Sequence, residues 1–205
     1  MRTVSAAIAV PAGKKAQRTQ RALVDATRAV VNDTGGFSAD LVAERAGMAP
    51  ATFYVYFPSK DEALAAALDD VLGELVERTM AEFSIERILD DGLRPAVAAS
   101  VEAALAVFTS SAVVLRLALA RIPESATVRH VYRDHQRAGI EALQQVISRG
   151  AAAGRIVADD SETTAVALIV AMQGLNNPML LGRRRNDRVV AHLVDMFVHL
   201  LEPEP

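Results

Sequence analysis

Cysteine does not occur in this chain, which excludes a disulfide framework and a thiolate metal site and gives no sign of an oxidising compartment. Tryptophan is also absent and aromatic residues make up only 4%. With Ala, Leu and Val so abundant, that scarcity favours helices packed on helices over a β-rich sandwich. Charge of one sign is not in large excess either. The 22 Lys and Arg against 25 Asp and Glu leave a formal charge of -3, which argues against a protein that coats nucleic acid with its whole surface. No segment reaches about 18 uninterrupted apolar residues, the usual mark of a membrane span. The apolar run at 6–10 is too short and too weakly flanked for a signal peptide. A cytoplasmic protein with no membrane partner is therefore expected. Catalytic signatures are missing too. The acidic pairs such as Asp159-Asp160 lie near no Gly-x-Ser-x-Gly elbow or phosphate loop. His130, His135, His192 and His199 lack the i, i+4 pairing of a zinc site and are read as surface or interface residues. No catalytic residue, metal or cofactor is expected.

What is present is an asymmetric chain of 205 residues, 51% of them hydrophobic, long enough for one compact unit or a small domain fused to a larger one. Up to residue 60 the bases are Arg2, Lys14, Lys15, Arg18, Arg21, Arg28, Arg45 and Lys60, opposed only by Asp25, Asp33, Asp40 and Glu44. The remainder is acidic. A polyanion-binding end attached to a body with another task fits that division.

Apolar residues Leu23, Ala26 and Val30 recur at helical spacing over 16–33, with Arg18, Arg21, Asp25, Arg28 and Asn32 on the other face. Gly35 and Gly36 stop that helix. Ser38 can cap a second, whose inner face would be Ala39, Val42, Ala43 and Ala46, and Gly47 ends it. Pro50 suits the first turn of a third helix over 50–57, where Phe53 and Phe57 share an inward face. Two short helices about a glycine turn are the sequence form of a helix-turn-helix. Pro58 and Ser59 precede a long fourth helix over 60–83. Further helices are predicted at 93–109, 111–121, 124–153, 161–181 and 187–201, separated by Asp90-Asp91-Gly92, Ser110-Ser111, Pro123, Gly154 and the stretch 182–186. Asn176-Asn177-Pro178 should kink the helix that contains it. The expected architecture is all-α, with a disordered arm over 1–13, a three-helix helix-turn-helix domain over 14–60, and a ligand-binding and dimerisation domain over 61–205 joined to it by the fourth helix.

The stretch from Phe37 through Ser38, Ala46-Gly47, Pro50-Ala51-Thr52-Phe53-Tyr54-Val55-Tyr56-Phe57 to Pro58-Ser59-Lys60 resembles the DNA-binding signature of the TetR regulator family. It departs from the common pattern at Ala49, where a capping Ser is frequent, and at Ala51, where Gly is frequent. The resemblance implies that Ser38, Thr52, Tyr54, Tyr56 and Lys60 hold DNA phosphates. Their hydroxyls and ammonium suit that chemistry. It also implies that Ala49, Pro50, Ala51 and Val55 face base edges, although none can make the bidentate hydrogen bonds of Arg to guanine or Gln to adenine. Lys14, Lys15, Arg18 and Arg21 read as a basic cluster in contact with DNA beside that motif, the first three as an arm, or as a solvated cluster without it. The tyrosines read as phosphate contacts or as a plug between helices.

Downstream, apolar residues exceed what one face needs, and the predicted kink should open an apolar pocket near Phe108, Met172 and Asn176, with Tyr132, Gln136 and Gln173 as polar contacts. A fully packed core is the competing reading. Arg129, Arg133 and Arg137, spaced by four, form either a wet face with Asp134 and Glu141 or a site for acyl-coenzyme A phosphates. The last two helices are apolar on more than one side. The resemblance implies that they pair with a second copy, and Leu168, Leu175, Val190, Leu193, Phe197 and Leu200 are the expected interface residues. The function implied is a homodimeric regulator, a repressor released from a palindromic double-stranded DNA operator by a small apolar effector. The alternative is a helical small-molecule or acyl-CoA-binding protein or enzyme that leaves its N-terminal motif unused.

Overall fold

The computed structural model describes residue 8, residues 11–181 and residues 187–202. Every regular element among them is helical: α1 (Lys14–Thr34), α2 (Ala39–Arg45), α3 (Pro50–Tyr56), α4 (Lys60–Glu82), α5 (Ile85–Asp90), α6 (Leu93–Arg121), α7 (Ala126–Ala152), α8 (Ser161–Gln173), a 3-10 turn (Gly174–Asn176), α9 (Pro178–Leu181) and α10 (Asp187–Leu201). The expected arm lies outside the described residues except for Ile8 and 11–13, and Ile8 packs against the N-terminal core. The predicted separator at 182–186 also lies outside them.

Two compact units are present. One comprises residues 3–73 with 111–135; the other comprises 74–110 with 136–205 and residues 1–2. The unit that carries the helix-turn-helix thus runs past residue 60 and takes in the 111–135 segment as well. Its core joins Leu23, Val30, Val42, Ala43, Phe53 and Phe57, with Ala63 and Ala66 from the start of α4. The alanines let the helices approach closely, and the two phenylalanines fill the space between them.

Several boundaries differ from the sequence reading for identifiable reasons. Ser110 and Ser111 do not divide α6. The Ser110 hydroxyl donates to the Val107 carbonyl at 3.1 Å within the helix, and buried Ser111 accepts from Nη2 of Arg28 at 3.2 Å. A serine satisfied in this way need not end a helix. α5 is an additional short helix, with the Ser84 hydroxyl accepting from the Arg87 N–H at 3.3 Å as its cap. The expected kink is a full interruption: α8 tightens into the 3-10 turn and Asn177 is extended, at φ -73° and ψ 133°, before Pro178.

α6 is the helix among the described residues that is long and apolar enough to cross a membrane by length and composition, with a window of mean hydropathy 1.9. Its apolar side chains are used in packing. Val97, Val101, Leu105 and Phe108 are buried in one unit, and Val114, Leu115 and Ala118 in the other.

Candidate nucleic-acid interface

The site grows from the turn between α2 and α3. The Ser38 hydroxyl accepts from the Leu41 N–H at 3.2 Å, capping α2 as its sequence position suggests. Gly47 sits at φ 68°, a left-handed conformation that a side chain would strain. There the chain reverses, and the Met48 N–H donates to the Ala43 carbonyl at 2.8 Å. Ala49 is extended and offers no side-chain cap to α3; its carbonyl accepts from the Thr52 N–H at 2.9 Å, while Pro50 fixes the first turn.

α3 has seven residues, so each i, i+4 pair presents one face. Phe53 and Phe57 are buried and in tilted contact at 5.7 Å between ring centroids. Thr52 and Tyr56 flank them, half-buried. Pro50 with Tyr54, and Ala51 with Val55, form the exposed faces; Tyr54 is 57% and Val55 77% accessible. The Tyr54 ring stands edge-on to Phe53 at 5.3 Å, which fixes its direction while its hydroxyl remains outside the core. Tyr54 is therefore not part of a plug, whereas Tyr56 packs against the core.

Lys60 opens α4, whose cap is the Ser59 hydroxyl accepting from the Glu62 N–H at 3.3 Å. The Lys60 ammonium lies 5.3 Å from the Phe37 ring centroid, so it is held while it stays exposed. Lys14, Lys15 and Arg18 are exposed on the first turns of α1 in the same unit. All the residues expected at DNA therefore belong to one unit, and those from Ala49 to Val55 are joined on one short helix and its lead-in.

This unit also holds a polar framework that the sequence reading missed. Asp70, buried, accepts from both Arg21 and Arg28, two residues placed by the sequence on the polar face of the first helix. Burial opposes the Arg21 charge, but Asp70 and Asp25 outweigh it and raise its pKa. The neighbouring Asp69 meets His135, which is buried instead of lying at a surface or interface. His130, His192 and His199 are exposed. Arg121 grips Asp61 with Nε at 3.2 Å and Nη2 at 3.0 Å. Of the arginine stripe, Arg129 donates to the Ile122 carbonyl at 2.7 Å, which ties it to its own connection.

In the other unit a cavity of about 60 Å³ lies among Phe83, Val101, Leu143, Ile169, Met172 and Phe197, with Thr79 and Ser100 as polar lining. The Thr79 hydroxyl donates to the Leu75 carbonyl at 2.8 Å. Of the expected ligand residues, Met172 lines this cavity. Phe108 is buried elsewhere, Gln136 and Asn176 are half-buried, and Gln173 is exposed. Tyr132 belongs to the first unit, where burial pushes its phenol above the ordinary range.

Of the expected interface residues, Leu168, Leu175, Val190 and Phe197 are buried in their own chain, Leu193 is half-buried and Leu200 is exposed. Large apolar side chains are left exposed on α8, at Val166 and Val170, and on α10, at Val189, Met196 and Leu200.

Residues 23–67 match the sequence model of bacterial regulatory proteins of the tetR family, and residues 93–200 match that of the C-terminal domain of AefR-like transcriptional repressors. No curated protein matches the chain. Among solved structures, a TetR-family regulator of Mesorhizobium loti is similar at a TM-score of 0.73 and 17% identity, over 93% of this chain and 100% of that one. A transcriptional regulator of Saccharomonospora viridis, solved in complex with choline, is similar at 0.71 and 21%, over 91% and 99%. A transcriptional regulator of Rhodococcus sp. Rha1 is similar at 0.68 and 22%, over 91% and 99%. At these identities the structures speak to the fold alone.

Proposed function

Because the chain belongs to the TetR family of bacterial regulatory proteins, we propose that it acts as a homodimeric repressor that leaves a palindromic operator when a small apolar molecule binds. That it is a DNA-binding transcriptional regulator and not an enzyme follows from the family. Repression, dimerisation, the ligand and a cytoplasmic location are our reading.

The observation that carries it is the outward surface of α3, where Tyr54 and Val55 stand exposed, with exposed Lys60 in the same unit. Hydroxyls and an ammonium around an apolar ridge suit a groove with phosphates on its rims. A two-fold dimer would place two such ridges on one face of the duplex and so select a palindrome. The apolar stripes of α8 and α10 supply the dimer surface, since large apolar side chains gathered on one face mark an interaction site. Replacing Val170 by Arg should leave a folded monomer in sedimentation equilibrium.

The cavity carries no charged lining residue, which favours a neutral, apolar ligand. Its volume is well below the roughly 300 Å³ of an ordinary ligand pocket, so binding must widen it. Met80 and Met172, unbranched and adaptable, line it and can yield. A ligand that prefers the widened state by a few kcal/mol shifts DNA occupancy strongly.

The test is fluorescence anisotropy of the purified protein with fragments of promoter DNA at several salt concentrations. A sequence-selective complex whose affinity falls steeply with salt is expected. Weak binding that is equal for all duplexes would refute the reading.

A further inference from the structure

Resting on α3 as the helix that enters the groove, we propose that this regulator reads its operator chiefly through the C5-methyl groups of thymine, with Val55 as the principal reading residue. In the major groove a protein distinguishes bases by donors and acceptors, or by the one apolar feature present, the thymine methyl. The most exposed face of α3, that of Ala51 and Val55, offers no side-chain donor or acceptor for the first kind of reading. Ala51 and Val55, one turn apart, are exposed, with Val55 at 77%. Pro50 and Ala49, also exposed, have no polar side-chain atom, and Pro50 lacks even a backbone N–H.

Two cations of the same unit already have partners within the fold. Arg45 donates to Asp33 at 2.8 Å, and the Lys60 ammonium sits over Phe37. Of the hydroxyls carried by α3, those of Thr52 and Tyr56 belong to a half-buried face, and that of Tyr54 belongs to the neighbouring exposed face, away from Ala51 and Val55. A valine this exposed gains from burial only where apolar surface meets it. On a duplex, thymine methyls supply that surface, and a cytosine or purine edge at the same point does not. The contact therefore discriminates by the presence of one carbon.

The experiment selects duplexes from a random pool with the full-length protein, then compares the selected duplex with one in which every thymine is replaced by uracil. Uracil keeps the hydrogen-bonding edge and lacks the methyl. Affinity should fall about fourfold for each methyl contacted, and the selected half-sites should contain thymine. Val55→Ala should lose a similar factor on the thymine duplex and almost nothing on the uracil duplex, so that the two losses do not add. Equal affinity for both duplexes, or the same Val55→Ala loss on both, overturns methyl reading while DNA binding stands. If no duplex is enriched and binding shows no salt dependence, DNA binding by α3 fails and the proposal falls with it.

Discussion

Nε2 of His135 lies 2.8 Å from Oδ1 of Asp69, and both side chains are buried. The other ring nitrogen, Nδ1, has no hydrogen-bond partner among the described residues. A buried polar atom left unpaired is costly, so this imidazole depends on its one contact. Asp69→Ala should lower stability by about 1–3 kcal/mol, whereas Asp69→Asn, which keeps an oxygen acceptor, should lose less than about 1 kcal/mol. Urea unfolding at neutral pH checks the difference. Equal midpoints for the two variants would show that the hydrogen bond is not what Asp69 provides.

One residue further along α4, Asp70 gathers Arg21 and Arg28 from α1. Arg28 is mostly buried and Arg21 half-exposed, so the two do not share the load equally. Removing the carboxylate takes an anionic partner from the mostly buried Arg28. Asp70→Asn should therefore cost about 2–4 kcal/mol, while Arg21→Ala, at the wetter end, should cost less than about 1 kcal/mol. Calorimetric melting of both variants tests the ranking, and the reverse order would show that the network is held from its exposed side.

The hydrogen bonds from Arg121 hold the Asp61 carboxyl below the usual carboxylate range, against an opposing effect of burial. A carboxylate whose folded pKa is depressed stabilises the fold fully above its unfolded value, about 3.9. That contribution disappears as pH falls through the folded value. Between about pH 6 and about pH 3 the melting temperature of Asp61→Asn should consequently fall less than that of the unaltered protein. An equal fall in both would mean that this pair contributes nothing to acid sensitivity.

Much of the DNA-binding unit was legible because its signals are local. Glycine at the ends of α1 and α2, serine at a cap and proline in a first turn each act through the backbone nearest to them. The alternation of buried Phe53 and exposed Val55 follows from helical geometry on so short a segment. The partners of Asp69 and Asp70 were not legible, since they lie 66 and up to 49 residues away and no periodicity reports such pairings. Arg21 and Arg28 have the spacing of a solvated face, and only the fold brings a carboxylate to them. α5 is too short at six residues for its pattern to stand out. α10 was the hardest case in the other direction. Apolar side chains on two sides do not say which side turns inward, and Val190 and Phe197 face the core while Met196 and Leu200 stay open.

α3 and Lys60 are the parts of the molecule proposed to meet DNA. Hydrogen exchange followed by mass spectrometry, with and without a duplex selected by the protein, tests this most directly. Slower exchange of peptides that span 50–60 in the complex is the predicted result. Unchanged exchange there, with protection confined to the 136–202 region, would contradict it.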